Sequence, residues 1–202
     1  MRLRLRPLLL QLVVTGTLLI GAAYAVLDPA ATQIESLDNA LLASMKAAPT
    51  LTMAERFHQL APVIDRTFDL PVMTAFAVGP AWANFSGEEQ QELIAAFTRL
   101  TIASYAHKFR SFEGERFEIQ PDVAVRGVDK IVQTRLISPH NAPVNLTYRM
   151  RESAGSWKII DVYYGAISQL TTRRADFTAS IASGGASGLI AHLNSLSDDL
   201  LR

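Results

Sequence analysis

The chain has 202 residues, 49% hydrophobic and 19% charged, with 19 lysines and arginines balanced by 19 aspartates and glutamates. This is the composition of an ordinary globular protein with one sizeable core, and with no basic or aromatic-basic stripe nucleic acid is not an expected partner. There are 0 cysteines, which excludes disulfides, thiol catalysis, thiolate metal sites and a lipidated N-terminal cysteine.

The chain opens with Arg2, Arg4 and Arg6, followed by an apolar run from Leu8 to Ala23 and the small-x-small pattern Ala23-Tyr24-Ala25. That order is a secretory signal peptide over residues 1–25, cut after Ala25, which leaves a mildly acidic mature chain outside the cytoplasm. An uncleaved anchor is the alternative, and it would make the protein a tethered structural adaptor.

Helices are expected from residue 28 to 110. Asp28-Pro29 supplies an N-cap and an N1 proline ahead of Ile34, Leu37, Leu41 and Met45, spaced by three and four residues. Thr52-Met53-Ala54-Glu55 is a capping box opening a helix with Phe57, Leu60 and Ile64, and Pro62 predicts a kink or early end. Asp69 can cap a short helix begun near Pro71 and stopped by Gly79-Pro80. From Leu70 to Trp82 almost every side chain is apolar, so this helix is expected to be buried on several sides or to line a cavity. Ser86-Gly87-Glu88-Glu89 is a second capping box and starts the longest helix. That helix carries one stripe of Leu93, Ala96, Phe97 and Leu100 and a second of Ile102, Tyr105, Ala106 and Phe109, which implies two neighbours.

Residues 116–164 read as a four-stranded antiparallel meander: Arg116 to Arg126, Ile131 to Ile137, Val144 to Met150 and Trp157 to Tyr164. Val144, Leu146, Tyr148 and Met150 alternate with Asn145, Thr147, Arg149 and Arg151, giving one dry face and one wet face. Short connections favour antiparallel neighbours. Helices follow over 166–201, with a break at Gly184-Gly185-Ala186-Ser187-Gly188. Residues 26–202 therefore form one α+β unit, in which helices must cover the apolar face of the sheet and anything left uncovered becomes a pocket.

Chemical motifs are few. His58, His107, His140 and His192 have no metal-ligand spacing, Ser187 is not in a nucleophile elbow, and there is no phosphate-binding glycine loop, so neither a metal nor a cofactor is expected. Asp161 interrupts the apolar strand Trp157 to Tyr164. In a dry pocket it could act as a base, while a cap or a pair with Arg149 or Arg151 is the plainer role.

Several segments, in this order, resemble a known family. They are Phe68-Asp69-Leu70-Pro71-Val72-Met73 with Val78-Gly79 and Trp82; Ser104-Tyr105-Ala106 with Phe109 and Gly114-Glu115; and Trp157-Lys158-Ile159-Ile160-Asp161-Val162 with Ile167-Ser168 and Arg173-Arg174-Ala175-Asp176-Phe177. Together they look like the periplasmic lipid carriers of the MlaC and toluene-tolerance type. Phe68 to Trp82 and Gln133-Thr134-Arg135-Leu136 are most similar to the hopanoid-associated HpnM subgroup. The resemblance implies an NTF2-like or cystatin-like curved sheet whose helices enclose an apolar cavity, and a non-enzymatic periplasmic shuttle for phospholipid or hopanoid between inner and outer membranes. Implied partners are an RND-type exporter or an ABC-type lipid transporter, with transient membrane contact. On this reading Phe68, Met73, Phe76, Val78, Trp82, Phe97, Leu100, Tyr105, Phe109, Tyr148 and Trp157 line the cavity, and Arg173 and Arg174 stand at its mouth. The competing reading is an NTF2-like enzyme acting on a steroid-like or terpenoid substrate with Asp161 as base.

Overall fold

The structure is a computed structural model and describes residues 27–202; the leader read at residues 1–25 lies outside them. Helix α1, Pro29–Lys46, starts where Asp28 Oδ1 accepts the Ala30 N–H at 2.8 Å. Lys130 Nζ, on a strand of the sheet, donates to the same carboxylate at 2.7 Å, so the cap also fixes the helix to the sheet. Helix α2, Met53–Thr67, has the expected capping box, with the Glu55 N–H on Thr52 Oγ1 at 3.2 Å and the Thr52 N–H on Glu55 Oε2 at 2.8 Å. It runs through Pro62 without ending there. A proline removes one backbone donor, and the buried Leu60 and Ile64 on either side hold the helix together.

The chain then makes a single parallel bridge between Phe68 and Ile159, in which the Asp69 N–H donates to the Ile159 carbonyl at 2.9 Å. Helix α3, Leu70–Val78, begins there with Asp69 as its cap and ends at Gly79, whose φ of 72° suits glycine. Helix α4, Gly87–Lys108, is opened by the Ser86–Glu89 capping box and packs between α2 and α3.

The sheet has six strands where the meander reading gave four. The segment 116–126 divides into β1, Arg116–Ile119, and β2, Ala124–Arg126, because Pro121 cannot donate to a ladder; both pair with β3, Asp129–Ile137. β4, Val144–Ser153, and β5, Ser156–Tyr164, continue the antiparallel order, and the two-residue β6, Ile167–Ser168, adds to β5 where a helix was expected. Between Asp161, opposite Arg149, and Ile159, opposite Met150, the extra residue Ile160 forms a bulge. The dry face carries Val132, Leu146, Tyr148, Met150 and Ile159, all at most 2% exposed.

Helix α5, Gln169–Leu201, runs through the glycine cluster read as a break. Only Gly185 leaves helical space, at φ 59° and ψ −148°, so the cluster is a kink inside one long element. Its first part packs on α3 and β5, and along its length it packs on α4.

Candidate binding cavity

Between α3, α4, the start of α5 and the β5 edge lies a cavity of about 240 Å³. Its walls are Phe68, Met73, Phe97, Leu100, Tyr105, Val162, Tyr164 and Leu170, and its polar lining is Thr101, Ser104, Lys108, Asp161, Gln169 and Arg173. One face of α4 supplies six of these residues. Phe97, Leu100, Thr101, Ser104, Tyr105 and Lys108 follow each other at spacings of three, one, three, one and three, which is a single helical stripe grading from apolar to charged.

The aromatic part of the wall is braced from behind. Tyr105 packs edge-on to Phe68 with centroids 5.4 Å apart and stacks on Phe109 at 5.7 Å, while Phe97 meets Phe177 edge-on at 5.9 Å. Such contacts fix the wall's shape without filling the space.

Of the thirteen residues expected at the site, the cavity brings together Phe68, Met73, Phe97, Leu100, Tyr105 and Arg173. Phe109 and Tyr148 are buried behind the wall, Val78 is core, and Trp82 packs at the corner between α3 and α4. Trp157 is outside the lining, with Lys130 Nζ 4.4 Å from its ring centroid. Phe76 corrects the expectation of an interior position: it is 48% exposed, because α3 buries Met73, Thr74, Ala77 and Val78 and turns Val72 and Phe76 outward. Arg174 is absent from the lining as well. Its guanidinium lies over Phe76 and so close to Gly79 that a Cβ there would meet its nitrogen at 2.8 Å, so it ties α5 to the end of α3.

Asp161 does line the cavity, but both of its oxygens are engaged. Oδ2 accepts from Ser168 Oγ at 2.7 Å, and Oδ1 accepts the Val162 N–H at 2.8 Å and the Leu170 N–H at 3.3 Å. The carboxyl group thus sits at the N-terminus of α5, beside the Ser168 cap, and supplies an acceptor to the Leu170 N–H, one of that helix's otherwise unpaired donors. The pairing with Arg149 or Arg151 considered from the sequence is replaced. Both arginines donate to Asp129, at 2.6 and 2.7 Å, and the Arg151 and Arg149 guanidinium groups hold that carboxyl below its usual range.

Sequence reading missed Lys108, Thr101, Ser104, Val162, Tyr164, Gln169 and Leu170 as lining residues. Lys108 is the most informative of them. Its Nζ stands 3.3 Å from the Tyr164 ring centroid, and burial lowers its pKa. A second missed group is Asp38 on α1, 3% exposed, with no hydrogen-bond partner for either oxygen among the described residues. Burial, and then the nearby Glu35 charge, push its pKa up to about 8, so it is protonated at neutral pH.

Taken together, these features define an α+β protein built around an apolar cavity with a charged mouth. Residues 35–195 match the family described as MlaC protein, and the chain belongs to that family. The fold is also similar to that of a phospholipid-binding protein from Ralstonia solanacearum, solved in complex with a phospholipid. The two superpose with a TM-score of 0.75 at 23% sequence identity, covering 87% of this chain and 99% of that one.

Proposed function

We infer that this protein is a non-enzymatic lipid carrier, exported by its cleaved leader to the periplasm. There it moves phospholipid or hopanoid between the inner and outer membranes, exchanging cargo with an RND-type exporter or an ABC-type lipid transporter during transient membrane contact. The observation that carries this reading is the cavity itself, apolar in depth and polar at the mouth, in a chain of the MlaC family. The Ralstonia solanacearum relative, with its bound phospholipid, supports a lipid as the class of cargo.

The energetics fit a carrier. A buried methylene is worth about 0.8 kcal/mol, so a two-chain lipid with roughly 30 methylenes loses on the order of 24 kcal/mol if stranded in water. The interior must match much of that without exceeding the membrane, which favours recognition by shape and volume with few polar contacts. At about 240 Å³ the cavity is below the roughly 300–1,000 Å³ of ligand sites, so two acyl chains require α3 and α5 to part as they enter. Asp161 does not favour the enzyme reading, because its oxygens already accept from Ser168 Oγ and the Leu170 N–H at the start of α5 and from the Val162 N–H of β5.

Two variants test the carrier. Ser104→Trp fills the half-buried middle of the cavity without burying a charge, and Phe97→Asp places a carboxylate in its apolar wall. Both are expected to lower the lipid copies per folded chain, measured by mass spectrometry after gel filtration. Folded Ser104→Trp protein with wild-type lipid content would rule this cavity out as the carrying site.

A further inference from the structure

We propose that the outer face of the sheet, opposite to the one the helices cover, carries a second binding site, for a neutral glycan bearing N-acetyl groups. It goes beyond the carrier reading and does not depend on it.

A cavity of about 350 Å³ lies on that face, lined by the side chains of Gln120, Gln133, Arg135, Asn145 and Thr147 and closed at one end by Gly165. Strand alternation turns these side chains outward, because Val132, Thr134, Leu146 and Tyr148 between them are buried. The register joins the strands into two rows. One runs from Gln120, whose N–H donates to the Gln133 carbonyl at 2.8 Å, through Gln133 and Thr147 to Tyr163; the other is Glu118, Arg135 and Asn145. Gln133-Thr134-Arg135-Leu136 has no part in the cavity under α3, α4 and α5, and it supplies a side chain to each row here. Arg135 donates to Glu118 at 3.0 Å, while the side chains of Gln120, Gln133, Asn145 and Thr147 make no hydrogen bond to protein among the described residues.

The chemistry of the lining selects the ligand. Its one charged residue is already paired, which disfavours an anion, and its one apolar residue, Leu146, is buried on the other face, so an acyl chain finds no dry surface. What remains is three carboxamides and a hydroxyl, and each carboxamide offers donors and an acceptor in one plane. Neighbouring strands lie about 4.8 Å apart, so Gln120, Gln133 and Thr147 stand side by side across three strands. A trans acetamide points its N–H and its carbonyl in opposite directions, and one laid along this row meets an acceptor on one side and a donor on the other. Sugar hydroxyls suit Asn145, and the half-buried Tyr163 at the end of the row offers a ring to the apolar face of a pyranose. An uncovered sheet face serves oligosaccharides in the same way in small β-barrels.

The test titrates the isotope-labelled mature chain with chitotetraose and, separately, with maltotetraose, which has the hydroxyls without the acetamides, and follows the backbone amides by NMR. Wild type is expected to bind chitotetraose saturably with a Kd on the order of 1 mM, as suits a few neutral hydrogen bonds on a solvated face, with shifts confined to β1, β3, β4 and Gly165. Maltotetraose is expected to bind at least about tenfold more weakly. Gln133→Ala with Asn145→Ala, both at exposed positions, is expected to weaken chitotetraose binding by about tenfold or more and to leave the urea midpoint and the lipid content as in wild type. No saturable shift up to ~10 mM chitotetraose, shifts on α3, α4 or α5 instead, equal binding of maltotetraose, or a double variant that binds as wild type does overturns the site. None of these outcomes touches the carrier reading, because the two cavities share no residue and lipid content is read separately.

Discussion

The covered face of the sheet has two halves, and they are finished differently. Under α1 the interface is closed: Ile34, Leu37 and Leu41 are fully buried against the sheet and α2. Under α3, α4 and α5 a cavity of about 240 Å³ remains. The difference lies in the stripes that meet the sheet. α1 offers aliphatic side chains at regular spacing that interdigitate, whereas the α4 stripe changes from Phe97 and Leu100 to Thr101, Ser104 and Lys108 along its length. A stripe that turns polar is harder to pack shut, because a hydroxyl or ammonium buried without a partner is costly, although Thr101 Oγ1 is satisfied within the helix by the Phe97 carbonyl at 2.8 Å.

The largest expected effect comes from truncating each half. Leu37→Ala, in the closed half, is expected to cost about 2–5 kcal/mol in urea unfolding and to leave lipid content per folded chain unchanged. Leu100→Ala, at the wall of the existing void, is expected to cost no more than about half of that and to change lipid retention. Equal costs would erase the distinction between the halves.

Asp38 sharpens the comparison, because it is a carboxyl with no partner set into the otherwise dry α1 face. The ordinary value near 3.8 applies to the unfolded chain, and burial raises the folded value to about 8. Between these values the folded state holds a proton that the unfolded state has lost. The group's contribution is therefore fully present below about pH 3.8 and falls by about 1.4 kcal/mol per pH unit up to about pH 8. Asp38→Asn is expected to flatten that slope, measured as urea midpoints across pH 5 to 8 relative to wild type. An unchanged slope would mean that Asp38 is ionised in the fold.

The smallest expected effect is at Phe76. Phe76 is exposed on α3 but lies under the Arg174 guanidinium, so Phe76→Ser is expected to cost no more than about 1 kcal/mol and to leave retained lipid as it is. A large loss of lipid would place this side chain in the cargo path.

These positions also show what was legible before the structure. The caps at Asp28, Thr52, Asp69 and Ser86 and the alternation of β4 could be read directly, because local hydrogen bonding and period-2 patterning decide them. The outward turn of Phe76 could not, since a nine-residue helix apolar on every side has no stripe to fix its rotation. Asp38 was legible by spacing, one residue from Leu37 and three before Leu41, but its charge argued for the outer face. Lys108 is equally in register with Phe97, Leu100 and Tyr105, but a cation in the last turn of a helix is also accounted for by the helix dipole, so spacing alone does not assign it to the cavity. The continuity of α5 through Gly184 to Gly188 was hidden because glycine marks both breaks and kinks, and only tertiary packing selects between them.

The central claim is that the gap under α3, α4 and α5 holds a lipid. It is tested most directly by native mass spectrometry of the mature protein purified without detergent from its exported compartment, followed by organic extraction of whatever dissociates. The account predicts about one lipid per chain, released as an intact species. A monodisperse protein that is empty, and that stays empty after incubation with liposomes, would contradict it and make the cavity a packing defect in an ordinary core.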